Sequence, residues 1–331
     1  MPGRSHGSRI AVMGAGGVGA YFGMRLAQGG AEVHLVARGR HLEALQQRGL
    51  LVRSPRGDLH AWLPATDDPS VIGPCDYVLF CVKSFDTLDA AKHLPPLMDN
   101  QTTIVSLQNG VDNESAIAEQ LGKPPQVMAG VAYVGASVVE PGVVEDVGSP
   151  IRLVFGEWKG TKSERGLGLL RACDAAGVDA EYSFDIGREL WSKMAFMCAI
   201  GGITAASRMP IGELRAVSET RKMFRSILAE VAEVGRADGI DLPLDLVDRY
   251  MALADQMQAG NFSSLYKDLV AGNRLELEAL HGAIVRRAAR YGLSVPACES
   301  IYSLLLPAAL RAEAARRHDR TGVLPPAESL S

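Results

Sequence analysis

Cysteine is scarce in this chain and poorly spaced for chemistry. The five cysteines, Cys75, Cys81, Cys173, Cys198 and Cys298, include no C-x-x-C pair and no adjacent cluster of ligands. That scatter argues against a disulfide framework or a zinc site, so no metal is expected; it suits buried thiols of a reduced cytoplasm. Aromatic residues are 6% of the sequence and the formal net charge is only −4, with no basic stripe. A nucleic-acid partner is therefore not expected. No apolar run approaches the ~20 residues a membrane helix needs, so no membrane partner is expected either. The first residues, MPGRSHGS, are polar and lead directly into a strand, unlike a secretory leader.

What the 331 residues do contain is room for two domains, with 47% hydrophobic residues to fill their cores. The most informative stretch is RIAVMGAGGVGAYFGMRLAQGGAEVHLVAR, Arg9 to Arg38. An apolar run, Ile10 to Met13, feeds into Gly14, Gly16 and Gly19, spaced G-x-G-x-x-G. Helical spacing follows at Phe22 and Leu26, then a second strand, Val33 to Val36. Gly14 suits the tight turn, Gly16 lets backbone N–H groups approach a pyrophosphate, and Gly19 lets helix pack on strand. Unpaired amides at a helix N-terminus favour such an anion. Arg38 closes the second strand where an NAD enzyme usually carries a carboxylate for the ribose hydroxyl. A guanidinium there, with Arg40 close by, favours a 2′-phosphate and hence NADP(H).

Beyond Arg38 a helix is expected over His41–Gln47, and short strands at Leu50–Arg53 and Leu59–Leu63 around Pro55-Arg56-Gly57-Asp58. Apolar strands at Tyr77–Val82 and Thr103–Leu107 end at Lys83-Ser84, where a helix is expected until Pro95-Pro96 breaks it, and at Gln108-Asn109-Gly110. A helix runs from there to about Leu121, followed by strands at Val127–Val134, Ser137–Glu140, Val143–Asp146 and Arg152–Phe155. A helix to Ala176 and a strand at Asp179–Tyr182 complete the series. This alternation predicts an α/β, Rossmann-type doubly wound sheet over residues 1–184. Ligands of such sheets lie outside the carboxyl ends of the strands, so Lys83 and Asn109 should face the cofactor crevice. From 185 onward strands disappear. Helices are expected at Ile186–Arg208, Val217–Asp238, Leu244–Gln258, Ser264–Val270, Leu275–Tyr291 and Pro296–Arg317. That gives an all-helical domain over 185–331 with a tail frayed from about His318.

At Glu189-Leu190-Trp191-Ser192-Lys193 the sequence begins to resemble the ketopantoate reductase (2-dehydropantoate 2-reductase) family. Other segments carry the resemblance through nearly the whole chain: GAGGVG (Gly14–Gly19), Arg38, VKSFD (Val82–Asp86), SLQNGVDNE (Ser106–Glu114), IGEL (Ile211–Leu214), SSLYKD (Ser263–Asp268) and Glu276 to Gly282. The resemblance implies a cytoplasmic oxidoreductase of pantothenate biosynthesis that reduces a small 2-oxo acid with NADPH. It assigns cofactor contacts to Gly14, Ala15, Gly16, Gly17, Val18, Gly19, Arg38, Lys83, Asn109, Ala136 and Glu276. It assigns substrate contacts to Lys193, Asn109 and Ser264, with Lys193 the catalytic proton donor. Physical chemistry agrees on Lys193: hydride delivery to a carbonyl carbon leaves charge on oxygen, which needs a positioned acid. A lysine flanked by Trp191, Met194 and Phe196 is costly without a purpose.

The chain also departs from the family. One and two turns beyond Lys193, where asparagines usually bind substrate, stand Met197 and Gly201; a later asparagine is replaced by Ile211, and His281 precedes Gly282 where asparagine is usual. Losing three hydrogen-bonding side chains on one surface removes recognition of about 1–3 kcal/mol per unmade bond. A different or more apolar substrate is expected. A β-hydroxyacid dehydrogenase acting on another hydroxy acid and a non-catalytic NADP-binding regulator remain as alternatives. The apolar C-terminal helices make a homodimer plausible.

Overall fold

Alternation along the first strand, β1 (Arg9–Met13), organises one half of the molecule. Ile10 and Val12 join an apolar cluster with Phe22, Met24 and Leu35, whereas Ala11 and Met13 join another with Val78, Phe80 and Ile104. Successive side chains of a strand point to opposite faces, so a strand buried on both needs cover on both. The computed structural model, which describes residues 7–122, 127–148 and 150–321, supplies that cover. After β1 come α1 (Gly17–Gln28), β2 (Glu32–Val36), α2 (Gly39–Arg48), β3 (Leu50–Arg53), β4 (Leu59–Ala61), β5 (Ala65–Thr66) and β6 (Tyr77–Phe80). Next are α3 (Thr87–Ala91), β7 (Thr103–Ser106), α4 (Asn113–Leu121), β8 (Val127–Tyr133), β9 (Ala136–Glu140), β10 (Val143–Asp146), β11 (Arg152–Gly156), α5 (Glu164–Ala175) and β12 (Ala180–Tyr182). Side chains of α1, α2 and α5 enter the first cluster, and those of α3 and α4 the second.

Eight strands form one sheet in the order β12-β11-β8-β7-β6-β1-β2-β5, parallel except where β11 runs against β8. This is the doubly wound α/β architecture the alternation predicts. Two differences matter. The strands expected around residues 50–63 and 137–146 do not join that sheet; β4-β3-β10-β9 make a separate four-stranded one. The helix expected after Lys83 is a 3₁₀ turn, Ser84–Asp86, followed by the five residues of α3.

The second half is helical, with no strand among the described residues: α6 (Ile186–Ser207), α7 (Ile211–Ala216), α8 (Ser218–Ala237), α9 (Leu246–Gln256), α10 (Ser264–Val270), α11 (Ala283–Tyr291) and α12 (Pro296–Thr321). A π-helical turn, Glu278–Gly282, precedes α11, where an α-helix from Leu275 was expected. The sequence pattern also misses α7. The chain divides into compact units Met1–Leu190 and Trp191–Ser331, so the division falls one turn inside α6. Backbone expected to fray from His318 stays helical to Thr321, and the tail beyond lies outside the described residues, as do residues 1–6. No helix among the described residues is long and apolar enough to cross a membrane.

Candidate active site

Strand register gathers most of the expected cofactor residues of the first unit. Met13 pairs with Val36 on one side and Phe80 on the other, and Phe80 pairs with Ser106. The carboxyl ends of β2, β1, β6 and β7 therefore lie in one row. Gly14, Arg38, Lys83 and Asn109 each follow within a few residues of that row.

The glycine-rich turn is held by backbone. The N–H groups of Gly14 and Ala15 both donate to the Val36 carbonyl, at 3.1 and 3.0 Å. Gly14 has φ +97°, the left-handed region, and a Cβ on it would stand 2.9 Å from the Val82 nitrogen. A Cβ on Gly19 would stand 2.3 Å from the Gly14 oxygen and 2.7 Å from Val12, so α1 packs against β1 only because Gly19 has none. A Cβ on Gly17 would lie 2.1 Å from the carbonyl oxygen of Ala136, which brings that residue to the same turn. Gly16 differs: nothing lies within 4 Å of its Cβ position, and as N-cap of α1 it offers no capping side chain. An open, uncapped amino end of a twelve-residue helix suits a pyrophosphate. The residues present thus fit a dinucleotide. Arg38 is exposed at the N-cap of α2, with Asp89 4.0 Å away. Lys83 is exposed and Asn109 half-buried.

A buried polar network beneath the crevice was not legible beforehand. The Gln108 side-chain amide donates to the Val82 carbonyl (2.9 Å) and to Thr87 Oγ1 (2.7 Å). The Thr87 hydroxyl donates to Asn113 Oδ1 (3.4 Å), and Asn113 Nδ2 donates to the Asn109 carbonyl (2.9 Å). These bonds tie the segment before Lys83 to the segment carrying Asn109. The Q-N-G-x-x-N spacing was the available signal. Close by in sequence, Glu114 is buried, and burial pushes its pKa up to about 7 against the opposite pull of its own backbone N–H and the Ser106 hydroxyl.

In the second unit, Lys193 is half-buried on α6. Burial lowers its ammonium to about 8, while the Glu276 carboxylate pulls in the opposite direction. Glu276 is itself only 4% exposed, so it does not belong to a solvated helix face. Met197 and Gly201 follow Lys193 at four-residue spacing, one side of α6. A Cβ on Gly201 would meet Leu265 at 3.6 Å, ordinary contact. Ser263, not Ser264, caps α10: its hydroxyl accepts from the Tyr266 N–H (3.0 Å) and lies 2.7 Å from Thr204 Oγ1. Ser264, exposed at the first helical position, is left for another use.

Two of the departures are buried. Ile211 is 1% exposed and lines a small apolar cavity with Ile203, Leu214, Phe224 and Met251. His281 is fully buried on the π-helical turn, its Nε2 3.0 Å from the Cys198 carbonyl, which Gly202 permits by lacking a Cβ. All five cysteines are free, four of them buried, and among the described residues no group of ligands could hold a metal.

Comparison with known proteins identifies the family. The family described as Ketopantoate reductase PanE/ApbA matches residues 10–160, and its C-terminal part matches 185–308. A 2-dehydropantoate 2-reductase of Halobacterium salinarum is 31% identical over 299 residues, covering 90% of this chain and 97% of that protein. The crystal structure of a PanE/ApbA family ketopantoate reductase from Ralstonia eutropha superposes with TM-score 0.85 at 34% identity, covering 92% and 99% of the two chains. The ternary structure of D-mandelate dehydrogenase with NADH and anilino(oxo)acetate reaches the same TM-score at 23% identity, covering 92% of this chain and 99% of that one, a likeness of fold alone.

Proposed function

The chain belongs to the ketopantoate reductase family of NAD(P)-dependent oxidoreductases acting on CH–OH groups, and from that premise we propose that it reduces a 2-oxo acid to the 2-hydroxy acid with NADPH. Ketopantoate, giving pantoate, is the leading substrate. When bound, NADPH supplies the hydride. The amides at the start of α1 would hold the pyrophosphate, and Arg38 would meet the 2′-phosphate. Lys83, Ala136 and Glu276 would contribute further cofactor contacts, Asn109 would meet both cofactor and substrate, and Ser264 would hold the substrate carboxylate.

Lys193 gives the proton to the substrate oxygen as charge develops there. The observation that carries this reading is its half-buried ammonium, lowered to about 8 and acted on by Glu276. Such a group is mostly protonated at neutral pH yet a stronger acid than an ordinary lysine, as general-acid catalysis requires. Glu276 keeps burial from discharging it altogether. Free thiols without a disulfide support a reducing cytoplasmic setting.

A more apolar 2-oxo acid is favoured as a second reading by Met197, Gly201 and Leu265, which offer no hydrogen bond along that side of α6. The test is the initial rate of NADPH oxidation over a panel of 2-oxo acids, ketopantoate included, repeated with NADH. We expect turnover with NADPH on ketopantoate or on a branched or aromatic analogue. Tight NADPH binding without turnover across the panel would instead make the protein a cofactor-binding regulator.

A further inference from the structure

His41 lies on α2, and one of its ring nitrogens reaches Ala15, a residue assigned to the cofactor by resemblance. Its imidazole holds two backbone groups from different parts of the first unit. Nε2 is 2.8 Å from the Ala15 carbonyl oxygen, and Nδ1 is 3.0 Å from the Gly142 nitrogen. The chemistry of the partners settles the tautomer. A peptide N–H can only donate, so Nδ1 carries the lone pair; a carbonyl can only accept, so Nε2 carries the proton. Both bonds exist together only in the neutral ring, and burial lowers the His41 pKa in the same sense.

The consequence falls on the phosphate-binding turn. A trans peptide sets its C=O and N–H on opposite sides, and no peptide bond among the described residues is cis. With the Ala15 carbonyl drawn to His41, the Gly16 N–H is turned away from α2. Around Gly16 the space is open, with nothing within 4 Å of a Cβ. Gly142 anchors the other end: it sits between β9 and β10 with φ +78°, and its carbonyl accepts from the Leu51 N–H at 3.0 Å. The small sheet is thus braced against the glycine-rich turn through one imidazole, beside the Gly17–Ala136 approach.

We infer that His41 is a positioning residue for the cofactor, a strut from the β9–β10 turn that fixes the Ala15–Gly16 peptide so that its N–H meets a dinucleotide phosphate. The inference rests on the reading of that turn as the NADP(H) site. It is tested by calorimetric titration of NADPH, steady-state kinetics and thermal melting on wild type, His41→Ala, His41→Gln and His41→Asn. Glutamine keeps an N–H near Nε2 for the Ala15 carbonyl, whereas asparagine reaches only toward Gly142. One hydrogen bond of orientation corresponds to about a fivefold change in affinity. We expect His41→Ala to weaken NADPH binding at least about fivefold and to raise KM for NADPH more than it lowers kcat. His41→Gln should recover most of the affinity and His41→Asn should not. Unchanged affinity in His41→Ala, or equal losses in all three variants that track melting temperature, would overturn the strut. Wild-type protein that binds no NADPH would overturn the cofactor reading and this inference with it.

Discussion

The glycine-rich turn of the first unit and the Lys193 stretch of α6 solve different problems with different parts of the chain. In the proposed function the turn works with backbone: its N–H groups would be the ligands, and its glycines are defined by what a Cβ would strike. The α6 stretch works with one side chain whose acidity is set by surroundings, burial on one hand and Glu276 on the other. Backbone function leaves a fixed spacing in the sequence, because only glycine tolerates φ +97° at Gly14 or a carbonyl 2.3 Å from a Cβ at Gly19. Side-chain function leaves a residue type and little else.

The sharpest way to break the comparison is Lys193→Ala, where we expect turnover to fall on the order of 100- to 10,000-fold while NADPH affinity, read by titration, changes little. Equal losses in both would make Lys193 structural. Within the turn, Gly19→Ala and Gly16→Ala should separate. The first drives a methyl into the Gly14 carbonyl and Val12, so melting temperature and cofactor affinity fall together, at a cost of about 1–3 kcal/mol. The second has room in the free protein, so it should melt like wild type and lose only NADPH affinity. Arg38→Ala should raise KM for NADPH about tenfold and leave NADH nearly unaffected, the worth of one charged hydrogen bond. Indifference to both cofactors would remove the NADP preference.

A smaller effect comes from Glu114, which lies outside both regions in chemical role. Its folded pKa, about 7, stands above the ordinary carboxylate value, so the folded state prefers the protonated form. Stability from this group is complete at pH below the ordinary value of 4.5 and is lost as pH rises through about 7. Glu114→Gln should therefore melt higher than wild type above pH 7, with the difference fading in acid. A difference independent of pH would show that packing, not ionisation, sets it.

Legibility followed the same division. The strands and the turn of the first unit could be read because apolar runs such as YVLF and TIVS end at polar or glycine-rich loops, and most helices of the second unit because their apolar spacing is regular. The second sheet could not, since β3, β4, β9 and β10 are short strands whose pairing, β10 beside β3, joins residues about ninety apart in sequence. His41 looked like an ordinary helical residue, because its two partners are backbone atoms and carry no residue type. The burial of Ile211 likewise depends on partners distant in sequence, such as Phe224 and Met251. Ser264 and Ser263 could be told apart only by the bond to Tyr266.

The most direct test is the pH dependence of kcat/KM for 2-oxo acid reduction in wild type and in Glu276→Gln. As the proposed acid, Lys193 would donate only when protonated, so the wild-type rate should fall as pH rises through about 8. Removing the carboxylate that raises the Lys193 pKa should move the same fall to lower pH. A wild-type profile flat across that range, or identical midpoints in the two proteins, would contradict the account.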